Sequence, residues 1–121
     1  MPKKASRIAI VDDDVDVLDS MRFLLELSGH LVSTFRSAAE FIAHCGTAVF
    51  DRLILDHHMP RITGLELAKT LRDMGIDLPI MLISGSLTPE LVSRAGELGV
   101  RVADKPVSEA ALMQFLGDPD C

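Results

Sequence analysis

The sequence predicts an α/β domain: a doubly wound, five-stranded parallel sheet with helices on both faces. Three observations carry this. Five short, largely apolar runs, each four or five residues long, punctuate a chain of 121 residues. The segments between them carry apolar residues at helical spacing. The stretches IAIV, LIL and IMLI are continuously apolar rather than alternating, as strands covered by helices on both sides must be. The length suits one domain, in which roughly two thirds of the unfolded chain's surface becomes buried. A hydrophobic content of 48% excludes a disordered chain.

Residues 7–11 (RIAIV) form the first strand. Across 14–28, Val17, Leu18, Met21, Leu24, Leu25 and Ser28 make one helical stripe, and Gly29 stands where a helix ends in a left-handed residue. Residues 31–35 (LVSTF) are the second strand. Ser37 and Glu40 have capping-box spacing for a second helix, with Phe41, Ile42 and Cys45 turned inward. Residues 52–55 (RLIL) are the third strand. Thr63 and Glu66 repeat the capping box ahead of the stripe Leu67, Leu71, Met74. Pro79 opens a fourth strand, 79–83, and Thr88-Pro89 starts a fourth helix that Gly99 stops. Residues 100–103 (VRVA) are a short fifth strand, and Ser108 caps a last helix with Leu112, Phe115 and Leu116 on one side. Strand and helix thus alternate five times, without a repeat or a linker. Parallel pairing with right-handed crossovers follows, in the flavodoxin-like order 2-1-3-4-5.

Composition narrows the function. Eighteen acids against twelve bases leave a net charge of −6, which disfavours direct contact with nucleic acid or an anionic membrane. Aromatics are 4%, with no Trp or Tyr, so stacking platforms for single-stranded nucleic acid are missing. Lys3, Lys4 and Arg7 read as a solvated N-terminus rather than a binding arm. Cys45 and Cys121 have no metal or redox spacing, and a reducing cytoplasm fits them best. No apolar run approaches the ~18 residues of a membrane span, and no signal-peptide core is seen. Met59, Met74, Met81 and Met113 read as core filler.

In open parallel sheets ligands bind beyond the carboxyl ends of the strands, at the switch point. For this order the point lies between the first and third strands. The first strand ends in Asp12-Asp13-Asp14, the third in Asp56, the fourth in Ser84-Gly85-Ser86 and the fifth in Ala103-Asp104-Lys105-Pro106. Carboxylates so gathered repel, and at least one pKa rises unless a cation intervenes. Lys105 alone does not neutralise three acids, whereas Mg2+ suits carboxylates, a carbonyl and waters. A helix macrodipole explains Asp14 or Asp16, but neither Asp12, which precedes the cap, nor Asp56, on another strand. Taken singly, Asp56 in LILDHHMP is open to three roles: metal ligand, nucleophile or turn residue.

The stretches IVDDD, LILDHHMPRITG, LISG and ADKP, in that order and spacing over nearly the whole chain, resemble the receiver domain of two-component response regulators. The resemblance implies Asp56 as phosphoacceptor, and Asp12 and Asp13 as the acidic pair holding Mg2+ together with Asp56 and the backbone carbonyl of His58. It implies that the Ser84 hydroxyl bonds the phosphoryl group and that Lys105 pairs with a phosphoryl oxygen. Gly85 leaves space beside that group. Met59-Pro60 and Gly64 match the loop into the third helix, and Lys105-Pro106 is expected to be cis, which X-Pro bonds tolerate. The implied function is transfer of a phosphoryl group from a histidine kinase to Asp56, switching contacts with a downstream target or output domain in the cytoplasm. A homodimer is compatible with it. The only catalysis expected is the chain's own phosphorylation and slow dephosphorylation, without turnover of a separate substrate. FRSAAEFIA resembles receivers that precede helix-turn-helix output domains, and the chain reads as a stand-alone regulator or a piece of a longer one. Receivers usually carry Tyr or Phe three residues before the lysine, where this chain has Val102; output through the fourth helix, fifth strand and fifth helix is then expected to be weakened or rerouted.

Two rival readings stand beside this one. A receiver-like docking or dimerising module would work without phosphorylation; the intact set Asp12, Asp13, Asp56, Ser84 and Lys105 argues against it, and Val102 argues faintly for it. A Mg2+-dependent phosphohydrolase would turn over aryl phosphates. The pair His57-His58 suggests a transition-metal site, but His30 and His44 fall in other elements, and strand alternation would aim the two imidazoles apart. Ser84-Gly85-Ser86 lacks the pattern of a nucleotide-binding loop. His57 is expected to be partly packed. His58, at the mouth of the site, is expected with Ser86 to set how fast water reaches an acyl phosphate. Replacing it (His58→Asn) should change the rate at which a radiolabelled phosphoryl group is lost; an unchanged rate removes His58 from that role.

Overall fold

The computed structural model describes residues 6–44 and 50–117. The inward face assigned to Cys45, the solvated Lys3 and Lys4, and Cys121 lie outside the described residues. Five strands and five helices alternate: β1 (Arg7–Val11), α1 (Val15–Leu27), β2 (Leu31–Phe35), α2 (Ala38–His44), β3 (Arg52–Asp56), α3 (Gly64–Asp73), β4 (Ile80–Ser84), α4 (Pro89–Glu97), β5 (Arg101–Asp104) and α5 (Glu109–Gly117). The strands form one parallel sheet in the expected order β2-β1-β3-β4-β5.

Side chains alternate across a strand, and here the alternation splits the core in two. Ile8, Ile10, Ile54, Met81 and Ile83 point to one face, where Leu18, Met21 and Leu25 of α1 and Leu112, Phe115 and Leu116 of α5 cover them. Ala9, Val11, Leu53, Leu55, Ile80 and Leu82 point to the other, under Phe41 of α2, Leu67 and Leu71 of α3 and Leu91 and Ala95 of α4.

Helix ends follow local chemistry. Asp14 caps α1, its carboxylate accepting the Asp16 and Val17 N–H groups. Thr63 and Glu66 exchange a reciprocal box at α3, the Thr63 N–H donating to Glu66 Oε1 at 2.8 Å and the Glu66 N–H to Thr63 Oγ1 at 3.1 Å. Thr88 caps α4 through the Leu91 N–H. Gly29 and Gly99, at φ of 91° and 70°, close α1 and α4 in the left-handed conformation that side chains resist. Gly75 does the same for α3, an ending the sequence reading passed over. Arg72 adds a clamp between helices: its guanidinium donates to the Leu98 carbonyl at the end of α4 (2.9 Å) and to the Ile76 carbonyl (3.0 Å).

Three strands end one residue later than expected, and two also begin later. Pro79 has no N–H to donate, although its carbonyl accepts from Leu53 at 3.0 Å, so β4 starts at Ile80. The Val100 N–H is spent on Ala95 O in closing α4, so β5 starts at Arg101. The late ends bring Asp56, Ser84 and Asp104 into the ladder, with Asp56 opposite Ile83 and Ser84 opposite Asp104. Three side chains expected on the inner stripes lie outside them. Ile42 is exposed because Ala38 and Phe41 already fill the inner side of a helix of seven residues. Met74 is 55% exposed because it is the cap of α3, after the stripe has ended at Leu71. Ser28, the cap of α1, is exposed for the same reason. Of the four methionines read as filler, Met59 and Met81 are buried and Met113 is partly buried.

Gly64, the first residue of α3, sits against the end of β3. A Cβ there would lie 2.5 Å from the Asp56 carbonyl oxygen and 2.6 Å from Leu82 Cδ1. Backbone on one side and core on the other leave nowhere to move, so Gly64→Ala should destabilise the fold by about 1–3 kcal/mol, as overpacking does. A urea melt measures this; an unchanged midpoint would show that the α3 start relaxes freely.

Candidate functional site

The rim beyond the carboxyl ends of β1, β3, β4 and β5 gathers the acids. Asp12 follows β1 directly, its N–H bonded to Phe35 O at 3.0 Å. Its Oδ1 accepts the Asp14 N–H at 2.9 Å, which turns the chain into α1. Asp56 closes β3. Both carboxyl groups are almost wholly buried, at 2% exposure each, although β1 and β3 are neighbours. Asp13 is exposed beside them, and carboxylate oxygens of Asp12, Asp13 and Asp56 lie within 4.8 Å of one another. Asp14, spent as the helix cap, takes no part.

One ammonium group answers three carboxylates. Lys105 Nζ lies 3.1 Å from Asp56 Oδ1 and 3.6 Å from Asp12 Oδ2. The closer contact is an ion pair rather than a well-aligned hydrogen bond, and Asp56 Oδ1 accepts no hydrogen bond from the described residues. A buried carboxylate oxygen held by that ammonium alone keeps acceptor capacity for a further positive partner. Burial, with Asp56 close by, pushes Asp12 up to about 6 despite the Asp14 N–H and Lys105. Burial works against the Lys105 ammonium, but Asp56 and Asp12 outweigh it and hold its pKa above the usual value. A hard divalent cation fits this donor set of oxygens.

The chain after β3 turns twice. His57 N–H still bonds Ile83 O at 2.9 Å, while its carbonyl takes the N–H groups of Met59 and Gly64. No backbone N–H of the described residues donates to the His58 carbonyl, which is left open. Arg61, at φ of 75°, forms a γ-turn in which Ile62 N–H reaches Pro60 O at 2.9 Å, a strained conformation for a side chain with a Cβ. His57 is half-buried, as expected, and its Nδ1 accepts the Leu65 N–H at 3.4 Å. Burial and the adjacent His58 lower its pKa. The two imidazoles do not point apart: their rings meet edge-on, 5.1 Å between centroids, because strand alternation ends at Asp56. Even so, the acidic trio is the one cluster of three metal-ligating side chains among the described residues.

Ser84 ends β4 and is fully buried. Its Oγ accepts the Ser86 N–H at 3.0 Å and lies 3.0 Å from Nε2 of the exposed His58. The sequence reading grouped Ser84 with the acids; in the structure, among the described residues, its hydroxyl makes no hydrogen bond to Asp56 or to the Lys105 ammonium. Its link to His58 was missed, since nothing in the residue order connects positions 26 apart. The Lys105 N–H bonds Ser84 O at 2.9 Å, and the Lys105-Pro106 bond is cis. Asp104 is exposed at the end of β5. Val102 is half-buried against the core on the α3–α4 face. A groove of about 530 Å³ opens beside Lys105, lined by Asp14, Val17, Met21, Pro106 and Val107 among others.

Comparison with known proteins places these features. The family model described as "Response regulator receiver domain" matches residues 8–116. The response regulator protein TodT of Pseudomonas putida is 34% identical over 114 residues, covering 93% of this chain and 50% of that protein. The sensory/regulatory protein RpfC of Xanthomonas campestris pv. campestris is 30% identical over 120 residues, covering 95% of this chain and 16% of that one. This chain thus spans about half the length of the first, and less of the second. Among solved structures, a CheY-like response regulator receiver domain protein from Methanospirillum hungatei is similar with a TM-score of 0.87 at 26% identity, covering 95% and 93% of the two chains. FixJ-N is similar with a TM-score of 0.85 at 27% identity, covering 95% and 93%.

The buried Asp12 makes a pH prediction. Its pKa is about 6 in the fold against 3.8 for an ordinary aspartate carboxyl. Between those values the folded state holds a proton that the unfolded state has lost. Its contribution to stability therefore falls as pH rises through that window. Asp12→Asn should stabilise the metal-free protein at pH 7 by on the order of 1–3 kcal/mol, less at pH 4.5, and should remove any gain from added Mg2+. Thermal melts in EDTA and in Mg2+ at both pH values measure this; an equal gain at both would exclude Asp12 as the cause.

Proposed function

The chain belongs to the response regulator receiver family, and from that premise we propose that it takes a phosphoryl group from a phosphohistidine of a sensor kinase onto Asp56, with Mg2+. The observation that carries this reading is the cluster itself. Asp12, Asp13 and Asp56 converge within 4.8 Å, Lys105 sits 3.1 Å from Asp56, and one buried Asp56 oxygen lacks a hydrogen bond.

Asp56 supplies the nucleophile: a carboxylate oxygen forms the new O–P bond as the donor's P–N bond breaks, and the imidazole keeps that electron pair. Phosphoryl transfer asks chiefly for in-line positioning and charge neutralisation, not covalent assistance. The ladder bonds of β3 and the contact with Gly64 hold Asp56 in place. Lys105 meets the phosphoryl oxygens as a compact positive charge. Asp12, Asp13, Asp56 and the His58 carbonyl would hold Mg2+, which supplies the positive charge that lets an anionic donor approach three carboxylates. The groove beside Lys105 gives the donor its way in. The chain acts only on its own aspartate and turns over no other substrate.

Modification adds a charge of about −1.5 to −2. Switching from mostly off to mostly on takes roughly 5.5 kcal/mol of differential stabilisation. Ser84 and the loop into α4 form the element able to respond, and Val102 leaves no aromatic ring to turn in the same movement. The downstream target or output domain is therefore met through a surface that does not depend on such a ring, and in a homodimer that partner is a second copy. No described helix is long and apolar enough to cross a membrane. On this reading the receiver works in the cytoplasm.

Acetyl phosphate with Mg2+ should label the wild type. Asp56→Asn and EDTA should each abolish the label, and Lys105→Ala should reduce it at least tenfold, as loss of a charge-assisted contact of about 1.5–3 kcal/mol implies. Intact-mass spectrometry reads the product. A wild type that stays unlabelled would leave the docking module as the better reading, and turnover of aryl phosphates the hydrolase.

A further inference from the structure

We propose that His58 is a positioning residue that latches Ser84 away from Asp56 in the unmodified protein, so that activation must exchange the partner of one hydroxyl. This rests on the reading of Asp56 as phosphoacceptor. Ser84 has no exposed surface, so its hydroxyl depends on protein partners. A serine hydroxyl has one proton and two lone pairs. The Ser86 N–H occupies one lone pair at 3.0 Å, and His58 Nε2 holds the other side at 3.0 Å.

Strand alternation explains why the hydroxyl faces His58. Ser84 continues the side of Ile80 and Leu82, packed under α3 and α4. Asp56 follows Ile54, on the side of α1 and α5. To bond an anion carried by Asp56, Ser84 Oγ must turn across the end of β4 and leave Nε2. With Nε2 as the acceptor, the hydroxyl's one proton goes to His58 and does not serve the anion at the same time. Latched and released states are therefore in equilibrium, and the apparent affinity for a phosphoryl-like anion is lowered by the fraction that is latched. His58 itself is exposed, so removing its side chain empties no core.

The test is a double-mutant cycle with beryllofluoride and Mg2+ as the probe, on wild type, His58→Ala, Ser84→Ala and the double variant. Loss of one ordinary hydrogen bond should make His58→Ala bind beryllofluoride roughly three- to tenfold more tightly than wild type. In the Ser84→Ala background the same change should do nothing. No tightening, or an equal effect in both backgrounds, overturns the latch while the phosphoacceptor reading stands. A wild type that binds no beryllofluoride overturns that reading, and the latch with it. Without any ligand, the His58 ring-nitrogen shifts should move on Ser84→Ala; shifts indifferent to that change also overturn the latch.

Discussion

Two buried carboxylates at the ends of adjacent parallel strands set the terms for the rest of this molecule. The order β2-β1-β3-β4-β5 makes β1 and β3 neighbours, so Asp12 and Asp56 do not escape one another. Water is not there to screen them, as each is 2% exposed. Lys105 reaches back from the end of β5 to both, and one positive charge still leaves the rim negative. Nearby details serve to hold this uncomfortable arrangement still. The Asp14 N–H orients Asp12, the Asp14 carboxylate goes to its own helix, and Gly64 lets α3 start hard against the Asp56 carbonyl. A site that is poorly satisfied by its own protein is ready for a cation and an anion together.

The sheet also divides the labour. Its α1–α5 side carries the acids, Lys105 and the groove by which a donor would come. Its α3–α4 side carries Ser84, His57 and Val102. Ser84 is the residue that must cross between the two, and the hydroxyl it would bring is already engaged by His58. On the proposed reading, chemistry on one face and response on the other would be joined through a single side chain at the end of β4.

Most of this was legible in the residue order. Three strands announced themselves by continuous apolar runs (IAIV, LIL and IMLI), the two edge strands by short, mixed ones, and the helices by Ser, Thr or Asp ahead of them. The strand order alone puts Asp12, Asp13, Asp56 and Lys105 on one rim. Strand limits slipped by one residue where local hydrogen bonding competed with the sheet, as at Pro79 and Val100. Ile42 and Met74 were misread because apolar character says what a side chain prefers, not whether a short helix or a cap has room for it. The His57–His58 ring contact and the His58–Ser84 bond depend on how two turns after β3 fold back, including a left-handed Arg61, and neither composition nor periodicity encodes that.

The Arg72 clamp bears on how such a response could travel. Its guanidinium fastens the Leu98 carbonyl, at the rear of α4, to the end of α3. At the front of α4, entered from the Ser84 loop through Thr88, the described hydrogen bonds are those of its own cap, and Leu91 is its buried contact with the core. A helix tied to its neighbour by hydrogen bonds at one end and by apolar packing at the other does not slide; it swings. Any rearrangement begun at Ser84 would therefore be largest at the first turn of α4 and die away toward its last, so a partner sensing the change would grip the front of that helix rather than its length.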